Sequence, residues 1–190
     1  MVNVFVAGPS GSGKTTIIML LIKKYNLERV ITNTTRQPRY NEVDGVDYTF
    51  LTKEYFKENQ EKFFEIEEYN GNFYGTMVEQ VIEKEGDSTN KIISLGKRGI
   101  ESLKEKKVPG IYIFIYMDKD VLRDRLVKRL NKESLTEEEI SSIEDRLSSY
   151  DIEYNYAMEG QYDFLIRNDN LEKAVEEVER IFDGKITKRE

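Results

Sequence analysis

Cysteine and histidine are both absent from this chain of 190 residues. The sequence therefore excludes disulfide bonds, thiolate metal sites and any mechanism that needs a thiol or an imidazole. Long hydrophobic runs are absent as well, because the longest strongly apolar stretch covers only residues 17–22. The first apolar stretch, residues 2–7, has no basic region before it, so we expect a protein without a signal peptide that lies in the cytoplasm.

Positive charge is in short supply, since 36 acidic residues outnumber 29 basic residues and give a net charge of −7. A protein that binds duplex nucleic acid needs a cationic face to displace counterions from the phosphates. We therefore expect no nucleic-acid partner and no membrane partner, although this net charge leaves room for a small basic pocket. The length fits one domain with an inserted lobe, and the sequence does not indicate an oligomeric state.

Short apolar stretches alternate with helical patterns along most of the chain. Stretches typical of buried parallel strands occupy residues 2–7, 29–34, 91–95, 111–117 and 163–167. Helical patterns occupy residues 14–24, 98–106, 119–130, 136–158 and 171–182. This alternation predicts an α/β fold built on a doubly wound parallel sheet with helices on both faces, which is a three-layer core.

The character of the sequence changes between residues 34 and about 87, where aromatic, amide and acidic residues mix. Short strand-like pieces at residues 47–51 and 63–69 accompany helical pieces at residues 53–60 and 76–85. We interpret this region as a lobe inserted into a single domain whose core comprises residues 1–33 and 88–190. A polar break at residues 131–136 predicts a hinge within a helical lid at about residues 125–146.

Residues 8–15 match the phosphate-loop pattern G-x-x-x-x-G-K-[ST] at every fixed position. An apolar strand precedes this match and a helix follows it, which is the context that the motif requires; the alternative is a glycine- and serine-rich turn before a helix. Lys14 would reach the β- and γ-phosphates of a nucleotide, and Thr15 would place a hydroxyl on Mg²⁺. The candidate phosphate-binding residues are Gly8, Ser10, Gly11, Ser12, Gly13, Lys14, Thr15 and Thr16.

Two arginines three residues apart, Arg36 and Arg39, flank a proline that stiffens the segment. Two guanidinium groups held in this way suit a phosphate dianion. The motif T-T-R-Q-P-R at residues 34–39 is followed by E-V-D-G-V-D-Y at residues 42–48 and by G-N-F-Y-G-T at residues 71–76. Together with the P-loop these motifs resemble the guanylate kinase family, and the match runs in order from Val4 to about Phe182.

The resemblance implies ATP-dependent phosphorylation of GMP or dGMP by in-line transfer, with ATP as co-substrate and Mg²⁺ as cofactor. It implies that the acceptor phosphate is held by Arg36, Arg39, Tyr48 and Tyr74. Glu65 would read the guanine edge, with Thr32 and Thr76 supplying hydroxyls near the base. A carboxylate accepts from the N1 and N2 donors of guanine but repels the N1 lone pair of adenine, so the assignment is chemically reasonable.

The resemblance also implies a mobile lid whose arginines reach the transferring phosphoryl group. Arg125 and Arg129 are four residues apart on one predicted helix and so share a face, and Arg146 lies on the next helix. These three match the family's lid arginines, whereas Arg123 lies off that face and is expected to be exposed. Asn168 follows the last strand, where the family contacts adenine.

The strand that ends near residue 95 departs from the family pattern, because Ser94 and Gly96 stand where two aspartates are usual. Those carboxylates would orient Mg²⁺-bound water or touch the acceptor base. Three outcomes remain open at this point: a metal held by Thr15, phosphates and water alone; another acceptor, such as a different nucleotide or a ribose phosphate; or a nucleotide-binding module with weak turnover. The intact P-loop favours an enzyme over a non-catalytic module.

Overall fold

The computed structural model describes residues 2–40, 42–69, 71–81, 89–130, 132, 134–186 and 188. The strands in this part of the chain are β1 (Asn3–Ala7), β2 (Glu28–Arg29), β3 (Asn33–Thr34), β4 (Thr49–Phe50), β5 (Phe63–Tyr69), β6 (Asn72–Met77), β7 (Lys91–Ser94), β8 (Ile111–Tyr116) and β9 (Phe164–Arg167). The α-helices are α1 (Lys14–Lys24), α2 (Lys53–Glu58), α3 (Val78–Val81), α4 (Lys97–Glu105), α5 (Lys119–Leu130), α6 (Glu137–Tyr156) and α7 (Leu171–Phe182).

The strands form two sheets. A five-stranded sheet has the order β2-β7-β1-β8-β9, and its β2–β7 and β8–β9 pairs are parallel. A four-stranded sheet has the order β4-β3-β6-β5, in which β6 runs antiparallel to both of its neighbours. Strands of the first sheet alternate with helices along the chain, which confirms the predicted α/β fold with a parallel sheet.

The chain divides into two compact units. The first unit comprises Met1–Phe5 and Leu27–Gly110, and the second comprises Val6–Asn26 and Ile111–Glu190. The predicted inserted lobe falls within the first unit and the predicted lid within the second. Residues 41, 70 and 82–87 of the lobe, and residues 131 and 133 of the lid, lie outside the described residues. The division into core, lobe and lid stays a prediction.

The second unit has a hydrophobic core cluster in which α5 and α6 take part: Met117, Leu122, Leu126, Ile143, Leu147 and Tyr150. The Tyr150 hydroxyl donates to the carbonyl of Met117 over 2.8 Å, which satisfies the buried end of that ring. Helix α6 begins as predicted, because the Thr136 hydroxyl accepts from the Glu139 amide while the Glu139 carboxylate accepts from the Thr136 amide.

The first unit corrects two predicted boundaries. The strand predicted for residues 29–34 is interrupted, because β2 pairs with β7 in one sheet while β3 pairs with β4 and β6 in the other. The helix predicted from Thr76 begins at Val78, because Thr76 pairs with Glu65 in the β5–β6 ladder. Residues 82–85 of that prediction lie outside the described residues.

None of the helices in the described ranges is both long enough and apolar enough to span a bilayer.

Candidate active site

The P-loop connects β1 to α1 in the second unit, and two of its glycines have conformations that a side chain would not allow. Gly8 has a φ of 141°, and a Cβ there would lie 2.0 Å from the carbonyl oxygen of Ile115. Gly13 has a φ of 93°, and a Cβ there would lie 2.3 Å from the side-chain nitrogen of Asn168. The glycines of the motif therefore let this loop pack directly against β8 and the residue that follows β9.

The amino end of α1 is available to an anion. Gly13 is its N-cap and provides no side-chain cap, and the first turn contains no acidic residue. The N–H groups of a first helical turn have no partner within the helix, and the helix dipole adds partial positive charge there. Thr15 and Thr16 are exposed in this turn, Gly11 and Ser10 are half-buried, and Ser12 is buried. The arrangement can bind a phosphate group.

Lys14 is folded back onto its own loop. Its ammonium group donates to the carbonyl oxygens of Gly8, over 2.5 Å, and Pro9, over 3.0 Å. Burial lowers the pKa of Lys14, and the charge of Glu153 opposes that shift only in part. Two of the three donors of this ammonium group are therefore used by its own loop.

Asn168 is only 1% exposed and contacts the P-loop. Its side-chain amide donates to the carbonyl oxygen of Ser12 over 2.7 Å, and its own carbonyl accepts from Arg125 over 3.0 Å. Among the residues that the structure describes, the Asn168 side-chain oxygen and the Ser12 hydroxyl are buried without a hydrogen-bond partner. Asn168 thus holds the backbone of the P-loop in place at Ser12. Its contact with adenine stays a prediction.

The arginines of the predicted lid differ in their surroundings. Arg125 is half-buried, and one of its terminal nitrogens lies 3.8 Å from the position that a Cβ on Gly13 would take. Arg146 is half-buried, and its Nε has no hydrogen-bond partner within the described ranges. Arg129 is exposed on α5. Arg123 is exposed, as predicted, and forms an ion pair with Glu144 over 2.8 Å.

The predicted phosphate clamp of the first unit is built around a carboxylate. Glu42 accepts from the Arg36 side chain over 3.0 Å, from the Arg39 side chain over 3.2 Å and from the Arg39 backbone amide over 2.8 Å. Burial opposes the charge on Glu42, but these donors outweigh it and lower the pKa of Glu42. Burial also opposes the charge on Arg36, yet its bond to Glu42 raises the pKa of Arg36.

Two tyrosines complete this cluster. The Arg36 guanidinium lies 5.5 Å from the centre of the Tyr48 ring, and the Tyr48 and Tyr74 rings meet edge to face at 6.1 Å. Burial raises the pKa of Tyr48, so its hydroxyl stays protonated near neutral pH and can donate to a phosphate oxygen. The structure therefore brings together Arg36, Arg39, Tyr48 and Tyr74, the residues predicted to hold the acceptor phosphate.

Glu65 and Thr76 face each other across β5 and β6. The buried Thr76 hydroxyl donates to the Glu65 carboxylate over 2.9 Å. Burial is the main cause that raises the pKa of Glu65 to about 7, and the charge of Glu67 adds to it. Thr32 is half-buried just before β3, where its carbonyl accepts from the Thr49 amide. Groups with strongly shifted pKa values often lie at functional sites, so Glu65 is a candidate for recognising a hydrogen-bond donor of a ligand.

Glu42 is a candidate functional residue that the sequence analysis does not identify. It lies three residues after Arg39, at the start of the motif E-V-D-G-V-D-Y, in which the resemblance implies a role for Tyr48 and none for Glu42. A carboxylate close in sequence to two arginines that are meant to bind an anion is itself a signal, since unpaired guanidinium forks need a partner to be positioned.

Thr15, at the start of α1, is a suitable ligand for a magnesium ion. No group of three or more acidic residues suited to a metal occurs among the described residues. Thr15 nevertheless offers an exposed hydroxyl oxygen in the first turn of α1. Mg²⁺ prefers oxygen ligands and keeps several waters when it binds with substrate phosphates, so one protein hydroxyl is an adequate contribution.

Comparison with known proteins decides the family. The sequence model described as guanylate kinase matches residues 1–185. The chain belongs to the guanylate kinase family. A guanylate kinase of Clostridium perfringens (strain 13 / Type A) is 38% identical over 184 residues, which cover 95% of this chain and 82% of the relative. A guanylate kinase of Schizosaccharomyces pombe is 36% identical over 94% of this chain and 88% of its own length.

The fold of the family is also found among solved structures. The crystal structure of guanylate kinase from Anaplasma phagocytophilum superposes with a TM-score of 0.72 at 21% sequence identity. The match covers 97% of this chain and 85% of that one. At this identity the similarity supports the fold, which is that of the guanylate kinase family.

Proposed function

We propose that this protein is a nucleoside monophosphate kinase that transfers the γ-phosphoryl group of ATP to GMP. Membership of the guanylate kinase family supports this activity. A P-loop alone does not name an acceptor, so the observation that carries the proposal is the pair of arginines joined by Glu42 in the first unit. Two oriented guanidinium groups with a tyrosine pair beside them match a phosphate monoester.

On the acceptor side, the phosphate of GMP takes donors from Arg36, Arg39 and the two tyrosine hydroxyls. The carboxylate of Glu65 accepts from guanine N1–H and from the 2-amino group. AMP offers an acceptor lone pair in place of that N1–H, so the charged form of Glu65 selects against adenine. This arrangement favours GMP or dGMP over another nucleotide or a ribose phosphate.

On the donor side, the P-loop amides and the start of α1 hold the polyphosphate of ATP. Lys14 exchanges the Gly8 and Pro9 carbonyls for the β- and γ-phosphates. Arg125, Arg129 and Arg146 offset the charge that develops on the transferring group. Mg²⁺, held by Thr15, phosphate oxygens and water, supplies further charge neutralisation when it is bound.

The reaction is an in-line displacement. A phosphate oxygen of GMP attacks the γ-phosphorus of ATP, the bond from that phosphorus to the β,γ-bridging oxygen breaks, and GDP and ADP result. The second pKa of a phosphate monoester is about 6, so the acceptor is largely ionised at neutral pH and no general base is needed. A chain without histidine can therefore catalyse this step. We propose that the protein acts in the cytoplasm.

An acceptor panel tests the proposal. The protein is assayed with ATP and MgCl₂ against GMP, dGMP, AMP and ribose 5-phosphate, with ADP formation as the readout. We expect turnover with GMP or dGMP and little with the other two acceptors. Formation of ADP with ribose 5-phosphate but not with GMP, or no ADP with any acceptor, would contradict the proposed function. The variant Lys14→Ala controls for contaminating kinases.

A further inference from the structure

The carboxylate of Glu67 stands where a side chain on Gly96 would be. A Cβ built on Gly96 would lie 1.8 Å from one carboxylate oxygen of Glu67 and 2.9 Å from its carboxyl carbon. Gly96 is one of the two positions where the family usually has an aspartate. We propose that Glu67 supplies from β5 the carboxylate that position 96 lacks, and that it accepts a hydrogen bond from the 2-amino group of the acceptor guanine. This inference rests on the proposed function.

Strand geometry places Glu67 on the same face as the predicted base reader. Glu65 and Glu67 are two residues apart on β5, and side chains at that spacing point to the same face of a sheet. Their partners on β6 are Thr76 and Tyr74, which belong to the predicted base and phosphate contacts. The repulsion between the two carboxylates, which contributes to the raised pKa of Glu65, agrees with this common orientation.

The hydrogen-bond chemistry of guanine leaves a place for a second carboxylate. Glu65 can accept from N1–H and from one hydrogen of the 2-amino group, and that group has a second hydrogen that points away from N1. A donor that becomes buried without an acceptor costs about 1–3 kcal/mol, so a site that buries this edge needs another acceptor nearby. A carboxylate on the same strand face, two residues further along, is suited to this position.

Helix α4 shows that the place of Glu67 is fixed by the fold. The N-cap of α4 is Gly96 and gives no side-chain cap, and the Glu67 carboxylate lies beside this residue, where the Arg98 backbone amide favours its charged form. Helices α2, α6 and α7 are each capped by the side chain of their own N-cap residue: Thr52, Thr136 and Asn170.

A carboxylate from β5 at this helix start is favoured by the helix dipole, and it stands where a side chain on residue 96 would be. Burial raises the pKa of Glu67 and the charge of Glu101 adds to this shift, while the charges of Arg98 and Lys97 oppose it. A carboxylate has several lone pairs, so its place at the start of α4 leaves acceptors for a ligand.

The test compares two acceptors that differ only at the 2-position. GMP carries the 2-amino group and inosine monophosphate carries hydrogen there. Calorimetric binding and kcat/KM with ATP are measured for both nucleotides with the wild-type protein, Glu67→Ala, Glu67→Gln and the double variant Glu67→Ala/Gly96→Asp. Circular dichroism and thermal unfolding report whether each variant is folded.

We expect Glu67→Ala to weaken GMP binding about 10- to 100-fold, the effect of losing one hydrogen bond to a charged group, and to leave inosine monophosphate within about twofold. The double variant should regain most of the preference for GMP, because Gly96→Asp returns a carboxylate to the same place once Glu67 is removed. Glu67→Gln, which keeps an acceptor oxygen and the helix cap, should show a smaller loss.

Equal losses for both nucleotides in Glu67→Ala and Glu67→Gln would overturn the inference and leave Glu67 as a helix cap alone. A folded double variant that does not regain the preference would overturn it as well. These outcomes differ from failure of the proposed function, which appears in the wild-type protein as binding of GMP without formation of ADP. Wild-type protein that binds neither nucleotide would overturn both.

Discussion

The side-chain amide of Asn168 donates to the carbonyl oxygen of Ser12 over 2.7 Å, although the two residues are 156 positions apart in the chain. The same nitrogen would collide with any side chain on Gly13. The backbone amide of Asn168 donates to the carbonyl oxygen of Tyr116 over 2.7 Å. The ends of β8 and β9 therefore position the side chain that fixes the backbone of the P-loop. We therefore expect phosphate binding to depend on a residue that need not touch the phosphates.

We expect Asn168→Ala to weaken ATP binding by about 10-fold or more, because the Ser12 carbonyl loses a buried donor and the loop loses its support. The free energy of unfolding should fall by about 1–3 kcal/mol for the same reason. Calorimetric titration with ATP and thermal unfolding measure the two effects.

Asn170→Ala is a matched control, since it removes the side chain that caps α7 and should cost about 1 kcal/mol of stability without touching the loop. If Asn170→Ala weakened ATP binding as much as Asn168→Ala, the support of the loop by Asn168 would be refuted.

Lys14→Ala should abolish turnover while leaving the fold intact. Among the described residues, the Lys14 ammonium group donates to Gly8 and Pro9 of its own loop, so its loss removes little that holds the domain together. We expect kcat to fall at least about 100-fold, as is usual when a donor to a developing charge is removed. Lys23→Ala, an exposed lysine of the same helix, is the control and should keep wild-type kcat.

Sequence patterns predicted the P-loop and its surroundings well because each part is local. A strand, three glycines with positive φ and an uncapped helix start all lie within residues 3–24, and the pattern of residues specifies them directly. The start of α6 was predicted for the same reason, since a capping box spans only four residues.

The features that were missed depend on contacts across strands or between distant segments. The predicted strand at residues 29–34 is split because its two halves join different sheets, and the residues within the segment do not indicate which sheet each half joins. The contact of Glu67 with Gly96 and the fold-back of Lys14 are likewise set by tertiary geometry. The contact of Glu42 with Arg36 and Arg39 could be predicted from the sequence, because the three residues lie close together in the chain.

Glu42→Ala should raise the KM for GMP about 10-fold or more and leave the KM for ATP unchanged, because both guanidinium groups lose the acceptor that orients them. Steady-state kinetics with each substrate varied in turn measure this split. Glu68→Ala removes an exposed carboxylate of β5 and should change neither constant. Equal increases in both KM values would contradict a role confined to the acceptor side.

The lowered pKa of Glu42 also predicts how stability depends on pH. Because the folded pKa lies below the unfolded value, the stabilisation by Glu42 is fully present above the ordinary glutamate pKa and is lost as the pH falls through the folded value. The difference in unfolding free energy between wild type and Glu42→Gln should therefore shrink as the pH is lowered below about 4. A difference that stayed constant down to pH 2 would contradict this account.

Glu65 should make GMP binding depend on pH around neutrality. Its pKa is raised to about 7, so the free protein holds a proton on a large fraction of Glu65 at pH 6, and that proton must leave before the carboxylate can accept from guanine. We expect the Kd for GMP to fall about 10-fold between pH 6 and pH 8, beyond the change that ionisation of the nucleotide phosphate causes.

Glu65→Gln separates the two ionisations, because only the phosphate titrates in that variant, and a wild-type profile that matched it would rule out titration of Glu65.

The contribution of Glu65 to the stability of the protein should fall with rising pH, whereas GMP binding strengthens. A carboxyl with a raised folded pKa contributes most at low pH, and that contribution is lost as the pH rises from about 4.5 through about 7. Glu65→Gln should therefore gain stability relative to wild type over this interval, by up to about 3 kcal/mol. The carboxylate that is proposed to select guanine thus destabilises the protein at the pH where we expect GMP to bind best.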